Sequence, residues 1–293
     1  MAAQAPAGVV FCTGKGGTGK TTVSLALGLA FAGAGERVVV VEVSGGPHPA
    51  LDGRLAAGRL RRERIDPDQA LLEWLAALGG RLPARMLAAR SSFRLFAAAA
   101  PGTRELLALN RIMELAGQGS GFDRVIVDAP ASGHARALWR APATFSAIAK
   151  LGPIAARSRE LEALIADPDR CSFVAVARPL ELAVSETLEL AAALERDLGH
   201  SPAVVVNGVL PRSFGAAELA GLDDGGDPVV LAALEAARHA ARRYRRERRQ
   251  VARLRRAGLA VVELPLLADG VGDEAALSLL AKRLAALTRS PTG

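Results

Sequence analysis

The sequence predicts an α/β protein built on a mostly parallel, doubly wound sheet flanked by helices. Three observations predict it. Several segments are unbroken apolar runs, among them Val38-Val39-Val40-Val41 and Ala203-Val204-Val205-Val206, as in strands covered on both faces. Those runs alternate with segments of helical period. The first run feeds a glycine-rich loop that opens directly into a helix.

Val9-Val10-Phe11-Cys12 is the first expected strand, and Val23 to Ala30 lies in the helix after the loop. Between them, Gly14-Lys15-Gly16-Gly17-Thr18-Gly19-Lys20-Thr21 fits G-x-x-x-x-G-K-[ST], the phosphate-binding loop of nucleoside triphosphatases. Its glycines allow a nest of backbone N–H groups to face phosphate oxygens, with the helix dipole behind them. Lys20 brings a charge to the β- and γ-phosphates. Thr21 offers a hydroxyl to Mg²⁺, an ion that keeps most of its waters and needs few protein ligands. Thr22 continues the nucleotide-binding set into the helix. Lys15, just after the first loop glycine, is a second catalytic candidate.

Arg37 to Val43 reads as the second strand. Residues 45–120 lose strand character, and Leu71, Leu72, Leu75, Leu78 and Leu82 recur at helical spacing. A helical insertion of about 54–120 is expected here, with Pro101-Gly102 opening a further helix. Phe122 to Asp128 is a third strand ending in an acid, where a parallel sheet presents its ligand-facing edge. Asp128 is therefore the second candidate for Mg²⁺, and Gly133 a candidate sensor of the γ-phosphate. Strands at Cys171–Val176, Ala203–Asn207 and Ala260–Pro265 follow, with helices at Leu182–Leu198 and Glu274–Leu287, then a tail over 288–293 expected to be disordered. All this makes one domain over residues 1–293.

Residues 228–257 stand apart. Arg238, Arg242, Arg245, Arg249, Arg253 and Arg256 recur every three or four residues, opposite Leu234, Ala237, Ala241, Tyr244, Val251 and Leu254. Such a helix binds acidic lipid or nucleic acid, or is a surface helix with solvated and paired arginines. No aromatic platform accompanies the charge, which favours the surface helix over either binding role.

Of the 293 residues 50% are apolar but only 4% aromatic, so the core must be Ala, Leu and Val. The net charge of +7 comes mostly from arginine, since the only lysines are Lys15, Lys20, Lys150 and Lys282. No apolar run approaches the roughly 18 residues that span a bilayer, and no signal peptide is visible, so a cytoplasmic protein is expected. Cys12 and Cys171 are too far apart in sequence to suggest a metal cluster or disulfide framework.

The chain resembles the arsenite-pump and tail-anchored-protein-targeting ATPases, a family with a deviant phosphate loop. The resemblance rests on Lys15 to Thr21 and on Asp128-Ala129-Pro130-Ala131-Ser132-Gly133-His134, followed by Arg136, Leu138 and Pro142. Pro101-Gly102-Thr103-Arg104-Glu105 resembles the family's P-G-x-x-E, and Pro265-Leu266-Leu267 its P-L-L. The resemblance implies a dimeric switch ATPase using ATP and Mg²⁺ to drive targeting or transport of a cargo. It implies that Lys15 reaches the partner's nucleotide, that Asn207 contacts adenine, and that Pro265 and Leu266 lie along the base.

The chain also departs from the family. Gly46, within Ser44–Leu51, stands where the family has the aspartate that activates water, and His48 and Asp52 are out of register. Two lone cysteines do not make an arsenite site, no C-x-x-C is present for a zinc at a dimer seam, and three methionines do not make a Met-rich client groove. Two other readings follow. One is a regulatory subunit with weak or no turnover that pairs with an active paralogue. The other is a partition- or positioning-type ATPase acting on DNA or a membrane surface.

Overall fold

The computed structural model describes residues 8–43, 58–66, 69–70, 102–148, 151–212, 214–220, 222, 227–267, 270–272 and 274–288. Seven strands form one all-parallel sheet: β1 (Val9–Gly14), β2 (Val38–Glu42), β3 (Leu60–Arg64), β4 (Arg124–Ala131), β5 (Cys171–Ala177), β6 (Ala203–Val209) and β7 (Val261–Pro265). Their spatial order is β3-β2-β4-β1-β5-β6-β7. The chain first builds from β1 toward β2 and β3, then from β4 across β1 to β5, β6 and β7. The order reverses about β1 and β4, and such a switch point leaves a crevice at the carboxyl ends of the strands.

The helices are α1 (Lys20–Gly33), α2 (Thr103–Leu115), α3 (Ser132–Ile148), α4 (Pro153–Ala166), α5 (Glu181–Leu198), α6 (Ala216–Ala220), α7 (Pro228–Arg256) and α8 (Glu274–Leu284). Successive strand side chains point to opposite faces, and each face is covered. Val10, Cys12, Val38, Val40, Ile126 and Val174 pack with residues of α1 and α8. Val9, Phe11, Val39, Val41, Val125 and Val127 pack beneath α2, α3, α4, α5 and the end of α7. Leu25, Leu27 and Phe31 of α1 are fully buried, each stabilising the fold by about 1.5–3 kcal/mol relative to exposure. This packing holds α1, and so the loop that precedes it, in fixed register with the sheet.

Two elements differ from the expected ones. Within the stretch expected to be helical, Leu60–Arg64 is an edge strand paired to β2 from Val38↔Leu60 to Glu42↔Arg64. Only Leu60 in it is buried. Its four polar residues hide the usual strand pattern, because an edge strand has little apolar surface to cover. The third expected strand runs on past Asp128 to Ala131. The helix expected after Pro101-Gly102 does open, at Thr103, with Gly102 at φ 84° as its N-cap. The leucine repeat over 71–82, the segment 44–57 with Gly46, His48 and Asp52, Pro101 and residues 289–293 of the expected tail lie outside the described residues, while Thr288 at its start donates to the Ala285 carbonyl at 3.0 Å.

Candidate nucleotide site

The glycine-rich loop leaves β1 at the centre of the sheet and enters α1 through Gly19, its N-cap in the left-handed region at φ 93°. Two of its glycines are required by close approach. A Cβ on Gly14 would stand 2.2 Å from the Val176 carbonyl oxygen of β5. One on Gly19 would stand 2.2 Å from the Asn207 amide nitrogen of β6. The loop is therefore seated on both neighbouring strands. No side chain caps α1, so its first-turn N–H groups face the crevice, where an anion would complete them. Gly16 and Gly17 are exposed at the loop's crest, and the buried Thr18 braces it by donating from Oγ1 to the Lys15 carbonyl at 2.8 Å. Lys20 reaches back to that carbonyl at 3.3 Å. Burial lowers its pKa, and the carboxyl of Asp128 works against the shift.

Thr21 and Asp128 meet. The Thr21 hydroxyl donates to Asp128 Oδ2 at 2.6 Å. Strand pairing enforces the meeting, because Cys12 of β1 sits opposite Asp128 of β4. Asp128 is 4% exposed, and its other oxygen, Oδ1, is buried without a hydrogen-bond partner. Burial pushes its pKa up from 3.8 to about 6; the nearby Glu42 carboxylate adds to the rise, and the Thr21 hydrogen bond opposes it. A buried carboxylate with an orphaned oxygen beside a hydroxyl is chemically suited to a hard divalent cation.

Other residues singled out in the sequence fall around the same edge. Asn207 donates its side-chain amide to the Thr18 carbonyl at 2.9 Å, so that nitrogen is used on the loop. Leu266 follows β7, donates its backbone N–H to the Val209 carbonyl at 2.8 Å, and is 38% exposed, with Pro265 opposite Val209. Gly133 is exposed in the first turn of α3, and a Cβ added to it would meet no atom within 4 Å. Thr22 is half-buried in the first turn of α1.

Two residues at the site were not singled out from the sequence. Glu186 of α5 accepts from Lys15 Nζ at 2.6 Å, across 171 positions of sequence, and so ties the loop's first lysine to α5. Glu42 closes β2 directly opposite Asp128 and is 3% exposed. Arg62 of β3 binds its carboxylate, and Arg64 lies 3.6 Å away. An acid closing a run of valines hinted at Glu42; nothing near Glu186 in sequence pointed to Lys15.

The cysteines lie apart from this chemistry. Both are buried, and burial drives both thiols up, Cys12 to about 12. Cys12 faces Val174 of β5, three residues along from Cys171. Neither supplies a thiolate near neutral pH.

A phosphate loop at the switch point of a parallel sheet, with an acid at the end of the adjoining strand, defines a P-loop nucleotide-binding protein. The chain belongs to the CobQ/CobB/MinD/ParA nucleotide binding domain family (CbiA), which matches residues 9–229. It is similar to the ATPase BagA of Mycobacterium tuberculosis, with 30% identity over 240 residues, 73% of this chain and 68% of that protein. Similarity extends to the arsenical pump-driving ATPases of Acidiphilium multivorum, 28% identical over 239 residues, and Escherichia coli, 27% over 235. Each of those alignments covers 70% of this chain but only 40% of the pump-driving protein. The resemblance to the arsenite-pump type of ATPase thus holds, and with it nucleotide binding and membership among ATPases. No helix among the described residues is long and apolar enough to cross a membrane.

Proposed function

We propose that this chain is a Mg·ATP-dependent switch ATPase at work in the cytoplasm, closing as a homodimer or with a paralogue over bound nucleotide and passing that closure to a cargo or membrane protein. The observation that carries the reading is the meeting of Thr21 and Asp128 beside the phosphate loop, with Asp128 Oδ1 buried and unpaired. Thr21 and Asp128 are the residues that hold Mg²⁺ in this reading. When bound, the ion neutralises phosphate charge. Backbone N–H groups from Gly14 to Thr21 bind the phosphates, Lys20 places charge against the transferred group, and Gly133 answers to the γ-phosphate from the start of α3. Asn207 ties the loop to β6, with Pro265 and Leu266 beside the base.

Lys15 has to leave Glu186 before it meets any phosphate. Replacing Glu186 by glutamine is expected to tighten ATP binding by about two- to tenfold, because it removes both a competing acceptor and a nearby negative charge. Calorimetric titration measures this, and the gain is expected to vanish when Lys15→Ala is already present. A gain that survives Lys15→Ala means that Glu186 acts only by repelling the nucleotide.

One sequence observation favours a second reading, a regulatory subunit with little turnover. Gly46 stands where the family has its water-activating aspartate, and loss of such a group costs about 10²–10⁴ in rate. Steady-state Mg·ATP hydrolysis by the purified chain, beside Lys20→Ala, separates the two. Turnover abolished by the substitution supports the ATPase. Tight ATP binding without turnover supports the subunit.

A further inference from the structure

Four of the ten arginines of α7 have an acceptor among the described residues. Arg243 donates to the buried Glu247 at 3.0 Å, and Glu247 also accepts the Leu210 backbone N–H at 2.8 Å. Arg248 and Arg255 both bind Glu263 of β7. Arg253 donates to Ser185 of α5 at 3.0 Å. Arg238, Arg242, Arg245, Arg246, Arg249 and Arg256 have no acceptor among the described residues. Of these, Arg242, Arg246 and Arg249 are gathered in one groove of about 520 Å³ between α7 and the turn that carries the chain from β5 into α5.

The groove's chemistry is uneven in a useful way. Its far wall is Pro179 and Leu180, an apolar edge, and Leu180 is 56% exposed. Leu180 is also the N-cap of α5 and gives its first turn no side-chain hydrogen bond. The carboxylates at the rim are Glu247, already committed to Arg243 and Leu210, and Glu181, one charge against three. Arg242 and Arg246 are four residues apart, and Arg246 and Arg249 three, spacings at which like charges destabilise a helix. A multiply charged anion would relieve that repulsion and accept from planar forks suited to it.

We infer that this groove is a binding site for a small phosphorylated molecule, its phosphates on Arg242, Arg246 and Arg249 and its organic body against Pro179 and Leu180. The site is separate from the phosphate loop and independent of the ATPase reading. Its volume falls in the range of small-ligand sites, about 300–1,000 Å³. The phosphate could belong to a free metabolite or to the headgroup of an acidic lipid, and the two are separable by experiment.

The test is calorimetric titration of inorganic tripolyphosphate into the full chain carrying Lys20→Ala, which weakens the competing phosphate loop. Two further variants are made on that background. Arg242→Ala/Arg246→Ala/Arg249→Ala empties the groove. Arg238→Ala/Arg245→Ala/Arg256→Ala removes equal charge from the same helix outside it. The first is expected to weaken binding by about tenfold or more, the second by less than about twofold. Equal loss in both means diffuse attraction to a basic helix and overturns the site, as does no loss in either. Thermal melts check folding, and should the first variant melt early, the glutamine version of the same triple replaces it. Cosedimentation with phosphatidylglycerol vesicles forms the second arm. Groove-dependent vesicle binding together with groove-dependent tripolyphosphate binding identifies a lipid headgroup as the source. Tripolyphosphate binding alone identifies a free phosphate compound. Vesicle binding without tripolyphosphate binding overturns the proposal.

Discussion

Replacing Lys20 by alanine is expected to reduce steady-state ATP hydrolysis by at least about 10²–10³-fold, the loss typical when a preorganised charge is removed from a developing anion. The size follows from where Lys20 sits. It begins α1, whose Leu25, Leu27 and Phe31 are buried against the sheet, so that packing fixes where its backbone stands. Its burial lowers its pKa, and the charged form is maintained partly by Asp128. A triphosphate beside it adds negative charge and favours the ammonium further. The fold should survive, since the one side-chain hydrogen bond of Lys20 among the described residues is a 3.3 Å contact to the Lys15 carbonyl. Phosphate release measured beside a thermal melt makes the check; a variant that melts with the parent and hydrolyses at the parent's rate would sink the assignment of this loop as the ATP site.

Asp128→Asn is expected to have two effects of opposite sign. The folded-state pKa of Asp128 is raised from 3.8 to about 6. A raised pKa contributes stability that is fully present below about 3.8 and lost as pH rises through about 6. At pH 7.5 without divalent ions the ionised carboxylate therefore works against the fold, and the neutral amide is expected to be more stable by on the order of 1–3 kcal/mol. Thr21 keeps an acceptor in the amide oxygen. With Mg·ATP present the order reverses, because the amide carries no charge to offer a cation. Stabilisation of the parent by Mg·ATP is expected to grow from pH 5 to pH 7 with a midpoint of about 6, as the carboxyl loses its proton. Melting temperatures of both proteins across that range, with and without Mg·ATP, test this. A parent whose Mg·ATP stabilisation is flat with pH would remove Asp128 from the metal set.

The phosphate loop was legible in the sequence because all its requirements lie within eight consecutive residues, Gly14 to Thr21, between an apolar run and a helical one. Asp128 was legible for a related reason, an acid closing an apolar strand. Edge strand β3 was not, because Arg61, Arg62, Glu63 and Arg64 are all charged and show no apolar period. The arginine helix was legible as a helix with one basic face. Which arginines are neutralised was legible only within the helix, as for Arg243 and Glu247; the acceptor of Arg248 and Arg255 lies in β7.

By itself the sequence determined the fold class, the phosphate loop and the acid that faces it, because each is set by local chemistry or by a period of two or 3.6 residues. Only the tertiary structure decided that Lys15 rests on Glu186, that Glu42 lies opposite Asp128, that Asn207 holds the loop, and that three arginines without acceptors among the described residues share a groove. Those contacts join residues far apart in the chain, where strand order and helix packing choose the neighbours, and no local pattern of residue types encodes that choice.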